Sequence, residues 1–193
     1  MTLRLVLKST QKATWLRQDQ KDKIRPKNPI MLETYIKNKI LSWEALSERR
    51  NHWKQEGKKV VFTNGCFDIL HYGHLHYLAA ARDLGDILIV GANSQESITR
   101  LKGPNRPIQD ELTRYHMLAS LIFVDAVTVF SQDTPLELII KIQPDILVKG
   151  GDWRPNQIVG SEVVLKNGGE VKSLPFVEGF STTKIEQKIQ NRP

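Results

Sequence analysis

The sequence predicts an α/β fold in which a parallel sheet carries helices on both faces. Three observations support this. Apolar runs such as "DILIVGANS" (86–94) are continuous rather than alternating, as strands buried on both faces are. Between them lie segments whose apolar residues recur at the 3.6-residue helical period. Turn residues mark the junctions, Gly57, Gly65 and Gly85 among them. With right-handed crossovers these features make a doubly wound, Rossmann-like sheet.

Taken in order, residues 1–30 form a basic extension, residues 31–57 a helical segment, and residues 58–193 the main domain. In "ILSWEALSERRNHWKQEG" the residues Ile40, Leu41, Trp43, Leu46 and Trp53 have helical spacing, and Gly57 is the stop. "KKVVFTNG" is a β-branched and aromatic run ending in a turn. "GHLHYLAAARDLG" reads as a helix closed by Gly85, and "DILIVGANS" as the second strand. Helices are then expected at 94–101, 110–121, 134–142, 156–167 and 181–190. They alternate with strands at 124–130, 145–149 and 170–174. No internal repeat or low-complexity segment interrupts the series.

The 193 residues suffice for one full-sized core. A composition of 40% apolar and 25% charged residues is that of an ordinary globular protein. No apolar run approaches the roughly 18 residues of a membrane span, and the first 30 residues lack a signal-peptide core. Cys66 is the single cysteine, so no intrachain disulfide forms. That suits a reducing cytoplasm, the expected location. The formal charge of +7 is uneven. Residues 1–30 hold eight basic residues against Asp19 and Asp22, which leaves only +1 for the rest. We expect a poorly ordered tail, or one preceding a functional start at Met31, rather than a nucleic-acid arm.

Ligands of such folds bind beyond the carboxyl ends of the strands. There the chain places "TNGCFDILHYGH", "GANS", "VKGGDW" and "LPFVEGFSTTK", rich in residue types that handle phosphate. His71 and His74, three apart at a helix start, share one side, and Gly73 lets the backbone approach a ligand. Beside the free N–H groups of a first helical turn, two imidazole donors would cradle a polyphosphate. Capping and packing is one alternative role for the pair. Zinc is another, with His76 as a third ligand, but His76 points elsewhere on a helix and no cysteine-rich or carboxylate-rich partner follows. P-loop, G-x-G-x-x-G and G-x-S-x-G patterns are absent. Cys66 is read as a small buried filler.

"TNGCFDILHYGH" resembles the T-x-G-x-F-D-x-x-H-x-G-H element of the cytidylyltransferase-like nucleotidylyltransferase superfamily, and "FSTTKI" its [IF]-S-[ST]-T-x-[IL] element. "RLKGPNRPI", "FVDAV", "TPLELI", "PDILVKGGDW" and "LPFVEGFSTTKI" are similar to the D-glycero-β-D-manno-heptose 1-phosphate adenylyltransferase branch, from about Lys39 to Ile189. The resemblance implies that His71, His74 and Lys102 act on the nucleotide phosphates, Lys102 from a mobile loop. It implies nucleotide contacts from Thr63, Asn64, Gly65 and Phe67, and phosphate contacts from Ser181, Thr182 and Thr183. Asp68 and Asp152 become candidates for substrate or magnesium contact, and Lys149 for the transferred phosphate. Two departures are His76 and the pair Ile122 and Phe123, where relatives often carry arginine.

The implied reaction takes ATP, with Mg²⁺, and a sugar 1-phosphate to ADP-heptose and pyrophosphate. A separate chain would supply the sugar kinase, and a homodimer is expected from the resemblance. No protein-held metal, nucleic acid or membrane span is expected. The rivals are a cytidylyltransferase using CTP and glycerol 3-phosphate, a nucleotide sensor without turnover, and a nucleic-acid binder acting through the tail.

Overall fold

The computed structural model describes residues 29–151 and 153–191. The basic extension, apart from its last two residues, and Asp152 lie outside these. The chain divides between Thr34 and Tyr35, and the second unit holds the sheet. Five parallel strands, β1 (Val60–Gly65), β2 (Ile87–Asn93), β3 (Ala126–Phe130), β4 (Ile146–Gly150) and β5 (Glu170–Leu174), lie in the order β3-β2-β1-β4-β5. The winding runs outward from β1 to β3, then returns to start again at β4. Its reversal point, where a crevice opens, is therefore between β1 and β4.

The two-residue period of the strands feeds two separate cores. Val60, Phe62, Ile87, Ile89 and Leu147 face one side, where α2 (Trp43–Gln55), α6 (Leu136–Ile142) and α7 (Ser161–Lys166) bring Leu46, Trp53, Leu138, Ile142 and Val164. Val61, Leu88, Val90, Ile146 and Val148 face the other, against Tyr77 and Leu78 of α3 (Tyr72–Arg82) and Leu118 of α5 (Glu111–Ala119). Helices on both faces confirm the doubly wound arrangement. Among the described residues no helix is long and apolar enough to cross a membrane.

Two elements differ from the sequence expectation. Helix α2 begins at Trp43 because the Ser42 hydroxyl accepts the Ala45 N–H at 3.2 Å. Ile40 and Leu41 therefore precede it; the Leu41 N–H donates to Val127 O at 2.8 Å, extending the sheet edge at β3. The helix expected over 156–167 is split into a 3₁₀ turn, Pro155–Gln157, and α7. Gly160 between them has φ +88°, and a Cβ there would lie 2.6 Å from Ile139 Cδ1. The remaining helices are α1 (Pro29–Lys37), α4 (Gln95–Lys102) and α8 (Thr182–Gln190), and Ser94 and Ser181 cap the last two.

Candidate active site

The loop after β1 is built around Phe67. Its backbone is left-handed, φ +46°, which costs a bulky residue about 1–3 kcal/mol. Burial of its ring, 5% exposed, offsets that strain. The ring lies over Gly65, where a Cβ would approach it to 3.0 Å. It also meets His74 edge-on at 5.3 Å between centroids. Arg114, fully buried on α5, donates from Nη1 to Cys66 O and to Asn93 O, both at 2.9 Å. It thereby clamps the ends of β1 and β2 together.

His71 occupies the cap position of α3, yet its side chain makes no capping bond. The capping role is thus set aside. Its ring stacks on His74 with centroids 3.9 Å apart and planes 21° from parallel. Neither Nδ1 has a hydrogen-bond partner among the described residues, although both are buried. Burial lowers the His71 pKa. Burial, and then the neighbouring His71 charge, lower that of His74 to about 4. Both rings are therefore neutral near pH 7, each with one N–H to donate. His76 is exposed and stands beside Tyr72, away from the pair. Among the described residues no cluster of three or more metal-ligating side chains occurs.

These rings line a cavity of about 380 Å³ at the reversal point. Asn64, Gly65 and Phe67 from the first loop line it, as do Lys102 and Lys149. Ser181 and Thr182 close it from the start of α8, with Phe176 and Phe180 as apolar walls. The Ser181 hydroxyl caps α8 by accepting the Lys184 N–H at 3.2 Å, which fixes the free N–H groups of that helix start at the cavity. Lys149 Nζ donates to Asn64 Oδ1 at 3.3 Å, and burial lowers its pKa.

Three expected site residues stand differently, and a fourth is not among those described. Thr63 is completely buried and bonded through its hydroxyl to Tyr77 Oη, so its side chain does not reach the cavity. Tyr77 lines it instead, and its phenol also donates to Val148 O at 3.2 Å. Thr183, one residue further along α8, is exposed and outside the lining. Asp152 lies outside the described residues. Asp68 borders the cavity, but both its oxygens are occupied. Oδ1 accepts Ile108 N–H at 2.8 Å and Gln109 N–H at 3.0 Å, and Oδ2 accepts Arg106 Nη1 at 2.6 Å. Burial alone would raise its pKa, but these three donors win and lower it. These bonds fix the carboxylate at the cavity border against residues 106–109.

Arg106 also pairs with Glu186 of α8. One guanidinium thus ties the histidine loop to the helix that carries Ser181 and Thr182. The segment following Lys102 carries these bonds, with Arg106, Ile108 and Gln109 all donating to Asp68. Cys66, expected as a filler, is part of the cavity wall. Sequence reading missed Tyr77, although the three-residue step from His71 to His74 continues to it. It also missed Arg106 and Arg114, for which no local signal exists.

Among the described lining residues Asp68 is the one carboxylate, and it is fully paired. Beside it stand two neutral imidazoles, two lysines and two helix starts, a setting for a polyanion.

Comparison with known proteins agrees with this geometry. The cytidylyltransferase-like family matches residues 62–188. "Bifunctional protein HldE" of Trichlorobacter lovleyi is 53% identical over 155 residues, 80% of this chain and 32% of that protein. "Bifunctional protein HldE" of Campylobacter jejuni is 48% identical over 171 residues, 89% of this chain and 35% of that protein. The chain therefore spans about a third of the length of these curated relatives. The crystal structure of a lipopolysaccharide core biosynthesis protein from Thermoplasma volcanium GSS1 is 32% identical, with a TM-score of 0.51. That match covers 63% of this chain and 98% of the other. On these matches and the histidine-lined crevice, the chain belongs to the cytidylyltransferase-like family.

Proposed function

We propose that the protein transfers the adenylyl group of ATP to D-glycero-β-D-manno-heptose 1-phosphate, giving ADP-heptose and pyrophosphate. The observation that carries the transfer chemistry is the stacked, neutral histidine pair in one cavity with two lysines, where the described residues offer no free carboxylate. The heptose reading rests on the resemblance of "VKGGDW" and "LPFVEGFSTTKI" and is supported by relatives whose names are HldE and lipopolysaccharide core biosynthesis protein.

The transfer needs no general base. A sugar phosphate is largely dianionic at neutral pH, its second pKa being about 6, so its oxygen attacks without losing a proton to the protein. A bond forms from that oxygen to the α-phosphorus, and the bond from the α-phosphorus to the bridging oxygen of pyrophosphate breaks. The chain's work is to align two anions and to meet the charge that shifts to the leaving group. His71 and His74 donate N–H to the reacting phosphoryl oxygens. Lys102 and the α8 start, with Ser181 and Thr182, hold the outer phosphates. Lys149 meets the acceptor phosphate, and Asn64, Gly65 and Phe67 shape the nucleotide side. Magnesium would enter with the nucleotide substrate and offset charge on its phosphates. A sugar kinase activity would supply the sugar 1-phosphate in the cytoplasm, and a homodimer is the expected assembly.

The test crosses ATP and CTP with heptose 1-phosphate and glycerol 3-phosphate and reads magnesium-dependent pyrophosphate release. Turnover confined to ATP with the heptose supports the reading. Turnover with CTP and glycerol phosphate moves the substrate pair, and no turnover from folded protein overturns it in favour of a nucleotide sensor.

A further inference from the structure

A cavity of about 360 Å³ opens at the opposite end of the sheet, by the amino ends of β1, β4 and β5. Arg50 of α2 lines it, as do Lys54, Lys58 and Lys59. Asp145 and Glu170 are the carboxylates of its described lining, so four cations stand against two anions. Both carboxylates are already engaged. Asp145 accepts Arg50 Nη2 at 3.0 Å and the Val60 N–H at 2.7 Å. Glu170 lies 3.5 Å from Lys59 Nζ and 2.9 Å from Lys172 Nζ. Lys58 pairs at 2.6 Å with Glu56, outside the lining. Lys54 is exposed and makes no ion pair among the described residues. Arg50 is the decisive group. It is 6% exposed, and its Nε and Nη2 donate to Gln143 O at 3.3 and 3.0 Å. Its Nη1 is buried and meets no acceptor among the described residues. A buried charged donor left unpaired costs free energy that an incoming acceptor returns.

Helices α2 and α7 both end here, and the negative ends of their dipoles would oppose an anion. Their last carbonyls are already taken, however. Trp53 O accepts the Lys58 N–H at 2.9 Å, Lys54 O that of Gly57 at 3.1 Å, and Val164 O that of Gly169 at 2.9 Å. The cationic side chains therefore set the sign of the field. We propose that this cavity is an anion site, separate from the catalytic one, for a dianionic phosphate group carried free or as the ester of a metabolite. Arg50 brings a guanidinium fork suited to phosphate, and Lys54, Lys58 and Lys59 add point charges around it. The several acceptor oxygens of a phosphate can serve Nη1 and the lysines together. The site needs nothing from the reaction at the carboxyl ends of the strands, and it stands even if adenylyl transfer fails.

The test is residue-resolved NMR of the ¹⁵N-labelled full chain, titrated with inorganic phosphate and, separately, with sodium chloride at matched ionic strength. The amides of Gly57, Gly168 and Gly169 report on this cavity, and those of Gly65 and Gly73 on the catalytic one. Saturable shifts at the first three with phosphate, and none with chloride, are expected. Lys54→Glu should raise their midpoint about tenfold and leave the response of Gly65 and Gly73 as in wild type. That variant carries the test because Arg50 also holds Gln143 and Asp145, so its replacement endangers the fold. Glucose 1-phosphate separates the two forms of the ligand. A midpoint below that of phosphate identifies an ester, an equal or higher one identifies free phosphate, and either supports the site. Equal shifts with phosphate and chloride, no shift at the three glycines, or an unchanged midpoint in Lys54→Glu overturns it.

Discussion

An alanine at position 73 puts a methyl group 3.0 Å from His71 Nδ1, 3.1 Å from its Cε1 and 3.3 Å from Phe180 Cβ. Gly73 lies in the first turn of α3, where its backbone is not left-handed. The helix itself therefore gains from the exchange, by up to about 1 kcal/mol. The contacts demand that the imidazole and the Phe180 wall give way by a few tenths of an ångström. The His71 ring is stacked on His74 at 3.9 Å, so its displacement passes to the second ring. Displacements approaching 1 Å in a catalytic constellation cost on the order of 10²-fold, and the smaller shift here should lower kcat/KM about 10–10²-fold. The melting temperature should stay within about 2–4 °C of wild type, the shift that 1 kcal/mol makes in a chain of this size. Thermal melts and pyrophosphate release on the same preparation read both effects. A folded Gly73→Ala variant with wild-type kcat/KM would refute the reasoning, because neither His71 nor the Phe180 wall could then be near the reacting atoms.

Four further outcomes follow from the same geometry. His74→Ala should lose about 10²–10³ in kcat with its melt retained, as for one lost transition-state donor; unfolding would return His74 to a structural role. Ser181→Ala should raise the KM for ATP and cost α8 about 1 kcal/mol of capping, and unchanged kinetics would put the triphosphate elsewhere. Because the folded protein holds His74 near pKa 4, against 6.5 when unfolded, the unfolded chain binds more protons between those values. This contribution to stability is complete above about pH 6.5 and shrinks as pH falls toward 4. Urea midpoints at pH 7 and pH 5 should show the loss, and His74→Ala should lessen it; equal pH dependence in both proteins contradicts the assignment. Arg106→Ala leaves Asp68, 1% exposed in its side chain, and Glu186 without their cation, which should cost about 3–5 kcal/mol. An unaltered urea midpoint would show that the bridge between the histidine loop and α8 carries no weight.

The sheet was legible because buried parallel strands are continuous apolar runs, and all five stand within two residues of expectation. The helix ends were less so. Ile40 and Leu41 have helical spacing with Trp43, but Ser42 caps the helix and leaves them to pair with β3. Gly160 breaks the helix expected through it because Ile139, 21 residues earlier, occupies the space of a Cβ. At the site, His71, His74, Lys149 and Ser181 were readable from their places at strand and helix ends. Thr63 was misjudged since strand alternation turns its hydroxyl inward to Tyr77. The partnership of Asp68 with Arg106, 38 residues away, and then with Glu186 is a tertiary fact that no local pattern encodes.

The central claim is that the sugar's phosphate oxygen attacks the α-phosphorus of ATP. The most direct measurement is ³¹P NMR and mass analysis of the products formed from heptose 1-phosphate whose phosphate carries ¹⁸O. The account predicts a sugar nucleotide containing AMP and every ¹⁸O atom, with unlabelled pyrophosphate released beside it. Label in inorganic phosphate or pyrophosphate, or a product lacking the adenylyl group, would contradict it.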